Sequence, residues 1–428
     1  MEKIAIIDGV RTPFTKMGTD FNDLGAEHLG RIAMRELIER TGIDPSIIDE
    51  VIVGNVGQPA NAANIARVVA LLAGVPKQVP AYTVHRNCAS GMESVFNAAI
   101  RIHAGEANVV MTAGTESMSN IPFFLNKSLQ NQLGALQKAK TMGQRLAIMA
   151  QFYPKFFDIK KSLNVGLMLG LTDPVCGLGM GQTAEVLAKE FGITREEQDA
   201  FALASHLNAV KSKAILREEI VPVIPGPKFA KAVEDDNGPR ETQTMEALAK
   251  LKPVFDHKSG SVTAGNSSQI TDGAAALLVM KESRAKELGL TPLGYVRAFA
   301  AAGVEPHRMG IGPAHAIPKV LKKCGMKLKD IQLWEINEAF AAQVLACLKA
   351  LESDKFAKDF GYEGFTGTID RAALNIHGGA IALGHPVGTT GARLILTLLK
   401  HMKRANLNTS LASLCIGGGQ GAAVVLER

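Results

Sequence analysis

The segment Tyr82-Thr83-Val84-His85-Arg86-Asn87-Cys88-Ala89-Ser90-Gly91-Met92 decides how the chain is read. Tyr82–His85 is a short extended run that ends at Asn87-Cys88. Beyond Cys88, the apolar positions Met92, Val95, Phe96 and Ala99 recur at helical spacing until Gly105. Asn108–Thr112 then reads as a buried strand. The same alternation precedes the segment. Lys3–Ile7 is an apolar strand, Leu24–Arg40 has helical spacing, Glu50–Asn55 is a second strand, and Asn64–Ala73 is a small-residue helix. Such alternation predicts an α/β protein in which helices cover a largely parallel sheet.

The C-terminal part repeats the plan. Ile331–Glu335 reads as a strand and Ala339–Leu351 as a helix. A glycine-rich stretch from Asn375 to Gly384 leads to the helix Thr389–Arg404, and Ser410–Leu414 and Ala422–Leu426 are strands. Each half thus sets a reactive side chain at the start of a helix, Cys88 in one and His385 in the other, and the pattern implies a structural duplication. Residues 121–270 differ: their composition is mixed, and they read as a long excursion between two strands of the first half. Within them, Leu129, Leu133, Leu136, Met142, Leu146 and Met149 form a helical stripe with Lys138, Lys140 and Arg145 on other faces. Phe152, Tyr153, Phe156, Phe157, Lys160 and Lys161 follow, so 127–161 is a basic amphipathic segment. It suits either an anionic membrane surface, a docked partner or a helix that covers its own domain.

Composition bounds the alternatives. At 428 residues, 46% apolar and 21% charged, the chain suits two or three packed units of ordinary globular type. Forty-two glycines and 5% aromatics agree with an α/β protein rich in tight turns. The net charge of +6 favours an anionic small molecule or lipid, and no motif points to nucleic acid. Five unevenly spaced cysteines make neither a disulfide framework nor a zinc site, so no metal is expected. A reducing, cytoplasmic location is expected, because Met1-Glu2-Lys3 runs straight into the apolar Ile4–Ile7; a mature mitochondrial matrix protein ranks second. No stretch reaches the roughly 18–20 apolar residues of a membrane span.

Three side chains then stand out as reagents. Cys88 lies at the start of the expected helix, where free N–H groups and the helix dipole favour a thiolate. Cys415 follows a strand and precedes Gly417, Gly418 and Gly419, whose missing side chains let backbone N–H groups approach an oxyanion. His385 is fixed between Gly384 and Pro386. One thiol that accepts an acyl group and another that moves a proton at carbon suit the making or breaking of a carbon–carbon bond beside a thioester.

These residues stand in blocks that resemble the thiolase superfamily over essentially the whole chain. The blocks are Asn87-Cys88-Ala89-Ser90-Gly91; Asn337-Glu338-Ala339-Phe340 with Gly378-Gly379-Ala380-Ile381-Ala382-Leu383-Gly384-His385-Pro386; and Cys415-Ile416-Gly417-Gly418-Gly419-Gln420-Gly421. The resemblance implies a duplicated five-layer αβαβα core, with halves at 1–120 plus 271–291 and at 292–428, and an inserted loop domain at 121–270. It implies that Cys88 becomes acylated, and that His385 activates it and, with Asn337, orients a water. It further implies that Cys415 protonates the departing enolate, and that the Gly417 and Cys88 N–H groups form an oxyanion hole. Ala264 and Ser268, in Ser261–Ser268, and Met180, in Met180–Glu185, match segments that contact coenzyme A. His377 is read as a supporting residue. No cofactor is implied, because CoA and acyl-CoA are substrates.

The expected reaction is thiolysis of 3-ketoacyl-CoA in fatty-acid β-oxidation. The basic insertion, Leu251–Phe255 and Pro318–Leu321 resemble thiolase β-subunits of trifunctional fatty-acid oxidation complexes. Those associate with an α-subunit bearing enoyl-CoA hydratase and 3-hydroxyacyl-CoA dehydrogenase activities, and their insertion helps the assembly meet membranes. Such β-subunits commonly carry His-Glu-Ala-Phe where this chain has Asn337-Glu338-Ala339-Phe340. Gln420 fits degradative enzymes. A homodimer or homotetramer is expected by resemblance. The alternatives are an acetoacetyl-CoA (biosynthetic) thiolase and a non-catalytic lipid-binding or scaffold protein. The latter predicts loss of a reactive residue, yet Cys88, Asn337, His385 and Cys415 are all present. A β-ketoacyl synthase shares the architecture, but its Cys/His/His signature does not fit the Cys415 block.

Overall fold

The structure, a computed structural model, describes residues 2–157, 163–227 and 229–428. In the first half, strands β1 (Ile4–Arg11), β2 (Glu50–Gly54), β3 (Ala81–Val84), β4 (Val109–Ser117) and β5 (Thr271–Lys281) line up in the order β3-β2-β4-β5-β1. In the second, β6 (Gly294–Gly303), β7 (Leu333–Ile336), β8 (Thr409–Ile416) and β9 (Gln420–Glu427) run β7-β8-β9-β6. The senses match strand for strand. In each half a parallel pair (β2–β4, β7–β8) is followed by two antiparallel ones. An isolated parallel bridge from Trp334 to Leu374 stands where β3 stands in the first half. The duplication inferred from spacing is therefore written in the topology.

The sheet is mixed, where the sequence suggested a largely parallel one. β8 and β9 are separated only by Gly417-Gly418-Gly419, and a connection that short permits only antiparallel pairing. The halves join where Ile4–Ile6 of β1 pairs with Gly294–Val296 of β6.

Five layers follow from which faces are apolar. Helices α1 (Ala26–Thr41) and α2 (Ile65–Leu72) bury Leu29, Ala33, Met34, Leu37, Ile65 and Val69 against one face of the first half-sheet. Helices α4 (Gly312–Cys324) and α5 (Ala341–Leu351) cover the far face of the second. Between the half-sheets lie α3 (Ser90–His103) and α6 (Thr390–Ala405). Met92, Val95, Phe96 and Ala99, picked out by their spacing, are all buried in this middle layer. The two central helices meet at glycines. A methyl group on Gly391 would sit 2.4 Å from the Met92 backbone nitrogen, and one on Gly91 would sit 2.8 Å from Gly388 O. That contact brings together the segments carrying Cys88 and His385.

Of the 121–270 excursion, Ile121–Thr172 forms a separate compact unit, and Asp173 onward belongs with the core. Phe123–Leu125 pairs antiparallel with Leu163–Val165, and the helices Lys127–Lys138 and Met142–Phe157 contact each other. Along the expected stripe Leu129 is buried, Leu133 and Leu136 are half-buried, and Met142, Leu146 and Met149 are exposed. Lys160 and Lys161 lie outside the described residues. Among the described residues no helix is long and apolar enough to cross a membrane.

Candidate active site

Cys88 occupies the turn between β3 and α3, two residues before that helix begins. Burial raises the pKa of its thiol most, the backbone N–H groups of Gly417 and of Cys88 itself lower it, and Glu116 adds to the rise. The thiol therefore sits above its ordinary value of 9.0. This corrects the expectation of a thiolate favoured by the helix end: desolvation of the charged form outweighs the N–H groups. Cys415, at the end of β8, is 1% exposed and pushed higher still, first by burial, then by neighbouring Cys88 and Cys347. Asn87 Nδ2 donates to Gly417 O at 2.7 Å, which sets the Cys88 turn beside the turn that follows Cys415.

His385 was expected to open a helix. It lies instead between the single turn Ala380–Leu383 and α6, five residues before α6 begins, with its N–H bonded to Gln269 O at 3.0 Å. Its Nδ1 is 2.7 Å from Thr390 Oγ1, and that hydroxyl donates to Pro386 O at 3.2 Å. The hydroxyl thus accepts from Nδ1–H, which makes Nε2 the acceptor nitrogen of the ring. Nε2 faces Asn337 Nδ2 at 3.4 Å. Burial first, then Arg393, lowers the His385 pKa to about 3, so the imidazole is neutral across the physiological range. Asn337 is buried just beyond β7, and its Oδ1 has no protein partner among the described residues.

Gly417 and the substrate-side residues complete the site. Gly417 O accepts Asn87 Nδ2 at 2.7 Å, and Met180 Sδ lies 3.1 Å from where a Gly417 Cβ would be. Met180 joins Cys415, Phe340, Ala339 and Val262 in one apolar cluster. The Ser268 N–H bonds Ala339 O at 2.9 Å, so the Ser261–Ser268 segment runs beside the Asn337 block, while Ala264 is exposed on its turn. His377 does not touch the Cys88–His385–Cys415 group. It bonds Ser212 Oγ at 2.8 Å and His401 Nδ1 at 2.9 Å. A groove of about 530 Å³ near Arg86, Phe96, Phe299 and Lys323 lies outside the reaction centre, since none of Cys88, Asn337, His385 and Cys415 lines it. No cluster of metal-ligating side chains occurs among the described residues.

Two buried carboxylates escaped sequence reasoning. Glu338 accepts from Ser205 Oγ at 2.6 Å, Asn375 Nδ2 at 2.8 Å and the Ile381 N–H at 3.2 Å, tying the Asn337 block to the loop that leads to His385. Glu116 accepts the N–H groups of Val56, Gly57 and Gly388, and burial lifts its pKa to about 7. Glu338 was visible only as a member of the Asn337 block, Glu116 carries no spacing signal, and Thr390 looks like an ordinary helix residue. Only the fold reveals what they hold.

The Cys88 turn is bonded to the glycine turn after Cys415 through Asn87, and a neutral His385 stands beside Asn337; these groups on a duplicated α/β core suit cysteine-dependent acyl transfer. The sequence matches the thiolase N-terminal domain over residues 4–283 and the thiolase C-terminal domain over 290–428. It is 42% identical over 430 aligned residues to a 3-ketoacyl-CoA thiolase of Pectobacterium carotovorum, covering 100% of this chain and 97% of that one. Among solved structures, an acetyl-CoA acetyltransferase of Bacillus anthracis superposes with a TM-score of 0.85 at 38% identity, covering 100% of this chain and 99% of that one. Human mitochondrial 3-ketoacyl-CoA thiolase, also solved with CoA, superposes at 0.84 and 34% identity, covering 100% and 98%. The chain belongs to the thiolase family.

Proposed function

We propose that the protein is a 3-ketoacyl-CoA thiolase, an acetyl-CoA C-acyltransferase that cleaves 3-ketoacyl-CoA with CoA in fatty-acid β-oxidation. The observation that carries this reading is that the Cys88 segment meets both other blocks: Asn87 Nδ2 bonds Gly417 O at 2.7 Å beside Cys415, and a methyl on Gly91 would sit 2.8 Å from Gly388 O, three residues after the neutral His385. His385 Nε2 takes the Cys88 proton as sulfur attacks the C3 carbonyl carbon. The C2–C3 bond breaks, the shortened acyl group stays on Cys88 as a thioester, and the acetyl-CoA enolate takes its proton from Cys415. Cys415 then deprotonates incoming CoA, whose sulfur attacks the thioester and frees Cys88. The Gly417 and Cys88 N–H groups would hold the thioester oxyanion, and Asn337 with a water would polarise the substrate's own thioester oxygen. Met180, Ser268 and Ala264 would line the pantetheine arm. No metal or redox cofactor is required; CoA and acyl-CoA are substrates.

The deciding experiment is CoA-dependent cleavage of acetoacetyl-CoA and 3-ketohexadecanoyl-CoA side by side. Preference for the long chain is the expected result. It would also prompt a search for an α-subunit with hydratase and dehydrogenase activities to supply the substrate. Cleavage of acetoacetyl-CoA alone would favour the acetoacetyl-CoA reading.

Self-association and location belong to the same proposal. Among the described residues β3 pairs only with β2, and an open edge strand one turn before Cys88 suits pairing with a second copy. A mass of two chains in light scattering is expected. Five free cysteines, two of them neighbouring thiols at the site, fit a reducing cytoplasm. The Ile121–Thr172 unit, with seven Lys or Arg and one acidic residue, is assigned a peripheral contact with anionic lipid.

A further inference from the structure

Gln420 opens β9 directly after Gly417-Gly418-Gly419 and pairs with Ile416, the neighbour of Cys415, across the turn. The reaction leaves it without a task, yet its amide is engaged. Gln420 Oε1 accepts from Arg86 Nη1 at 3.1 Å, and Arg86 belongs to the other half, two residues before Cys88. A second partner aims the guanidinium. Nε and Nη2 donate to the two carboxylate oxygens of Glu93, in the first turn of α3, at 2.6 and 3.1 Å. That planar fork leaves Nη1 as the nitrogen that reaches Gln420. The next residue repeats the crossing, because Asn87 Nδ2 donates to Gly417 O at 2.7 Å. Two consecutive residues before Cys88 therefore hold both ends of the glycine turn after Cys415.

We propose that Arg86 and Gln420 are positioning residues: their hydrogen bond, beside that of Asn87, fixes the Cys88 turn against the Cys415 turn. The inference rests on the thiolysis reading, in which Cys88 attacks C3 and Cys415 protonates C2. Those carbons are bonded neighbours, so the two sulfurs must keep one relation while a single substrate reacts. Gly418 and Gly419, at φ 88° and 82°, have no side chains to stiffen the turn themselves. The Val304 N–H bonds Gly419 O at 2.8 Å, which holds the turn to its own half and not to Cys88. Losing the tie at one end lets the turn shift against Cys88, and a shift of about 1 Å in a catalytic group costs about 100-fold.

A double-mutant cycle of Gln420→Met and Arg86→Met tests the tie. Methionine fills the space while removing the amide or the guanidinium, and both positions are only half-buried, so the fold is kept. Gln420→Met should lower kcat about tenfold with KM within about twofold of wild type. In the Arg86→Met background the same change should cost less than about twofold, because the bond is already gone. Equal cost in both backgrounds, an unchanged kcat, or a loss carried by KM overturns the proposal. Amide hydrogen exchange over residues 415–421 reads the tie without substrate. It should quicken about fivefold in Gln420→Met, and no further when that change is added to Arg86→Met. Unchanged exchange also overturns the proposal. A wild-type protein that cleaves no 3-ketoacyl-CoA would overturn the functional reading instead, and exchange would still report on the tie.

Discussion

At Cys88 two influences oppose each other, and burial outweighs the two N–H groups that would favour a thiolate. His385, at about 3, cannot take the proton at rest and form a stable ion pair. The thiol is therefore protonated at neutral pH, and His385 acts as base only while sulfur is bonding to carbon. The sign of the pH effect follows. Below a raised thiol pKa the thiolate fraction grows about tenfold per pH unit, so iodoacetamide alkylation of Cys88 should climb from about pH 7 to about pH 9 without a plateau. A plateau beginning near pH 6 would reveal a resting ion pair and sink this account. The two cysteines should also separate in their roles. Cys88→Ser should abolish turnover and leave no acyl-enzyme. Cys415→Ser should lower kcat by about 100-fold or more yet still show an acyl group on Cys88 by mass spectrometry, since proton transfer at carbon is what it loses. Equal loss of acylation in both variants would refute the division of labour.

Individual elements were legible in proportion to their periodicity. Met92, Val95, Phe96 and Ala99 repeat at helical spacing and form the buried face of α3, and the reactive residues could be read because each sits in a short, distinctive block. Strand β5 hides because Asp272-Gly273-Ala274-Ala275-Ala276 is poor in β-formers; burial on both faces makes it a strand. The helix start after His385 was placed a residue early, because nothing in Thr389-Thr390 announces that the Thr390 hydroxyl faces the histidine rather than capping the helix. The crossing of α3 and α6 is likewise invisible in one dimension, yet it sets the distance between the halves of the site. Adding a methyl at Gly391 forces α6 against the Met92 backbone, and backbone cannot rotate away. Gly391→Ala should cost about 1–3 kcal/mol of stability by chemical denaturation. It should also lower kcat by about 100-fold, because misplacement of catalytic groups by about 1 Å has that effect. Wild-type stability and rate would mean that the helices have slack.

Across the whole molecule, charge is divided unevenly. Residues 121–172 hold seven Lys or Arg and a single acidic residue, a net +6 that equals the charge of the entire chain, so the remaining residues balance to zero. The same unit exposes Phe123, Phe124, Met142, Leu146, Met149, Met168 and Leu169. Apolar tips among cations suit the interface of an anionic bilayer, where each Lys or Arg near the surface contributes about 1 kcal/mol and the attraction is screened by salt. Lys138, Lys140 and Arg145 are exposed and are none of the residues assigned to the reaction or to coenzyme A, so the triple variant Lys138→Glu, Lys140→Glu, Arg145→Glu isolates the contact from catalysis. Wild-type protein should co-sediment with vesicles containing phosphatidylserine, and raising the salt should release it. The variant should bind at least about 100-fold more weakly, from three lost contributions alone, while its cleavage of soluble acyl-CoA is unchanged. Equal binding to neutral vesicles, or binding that survives the charge reversal, would leave the basic unit free for a protein partner such as an α-subunit and remove the lipid assignment.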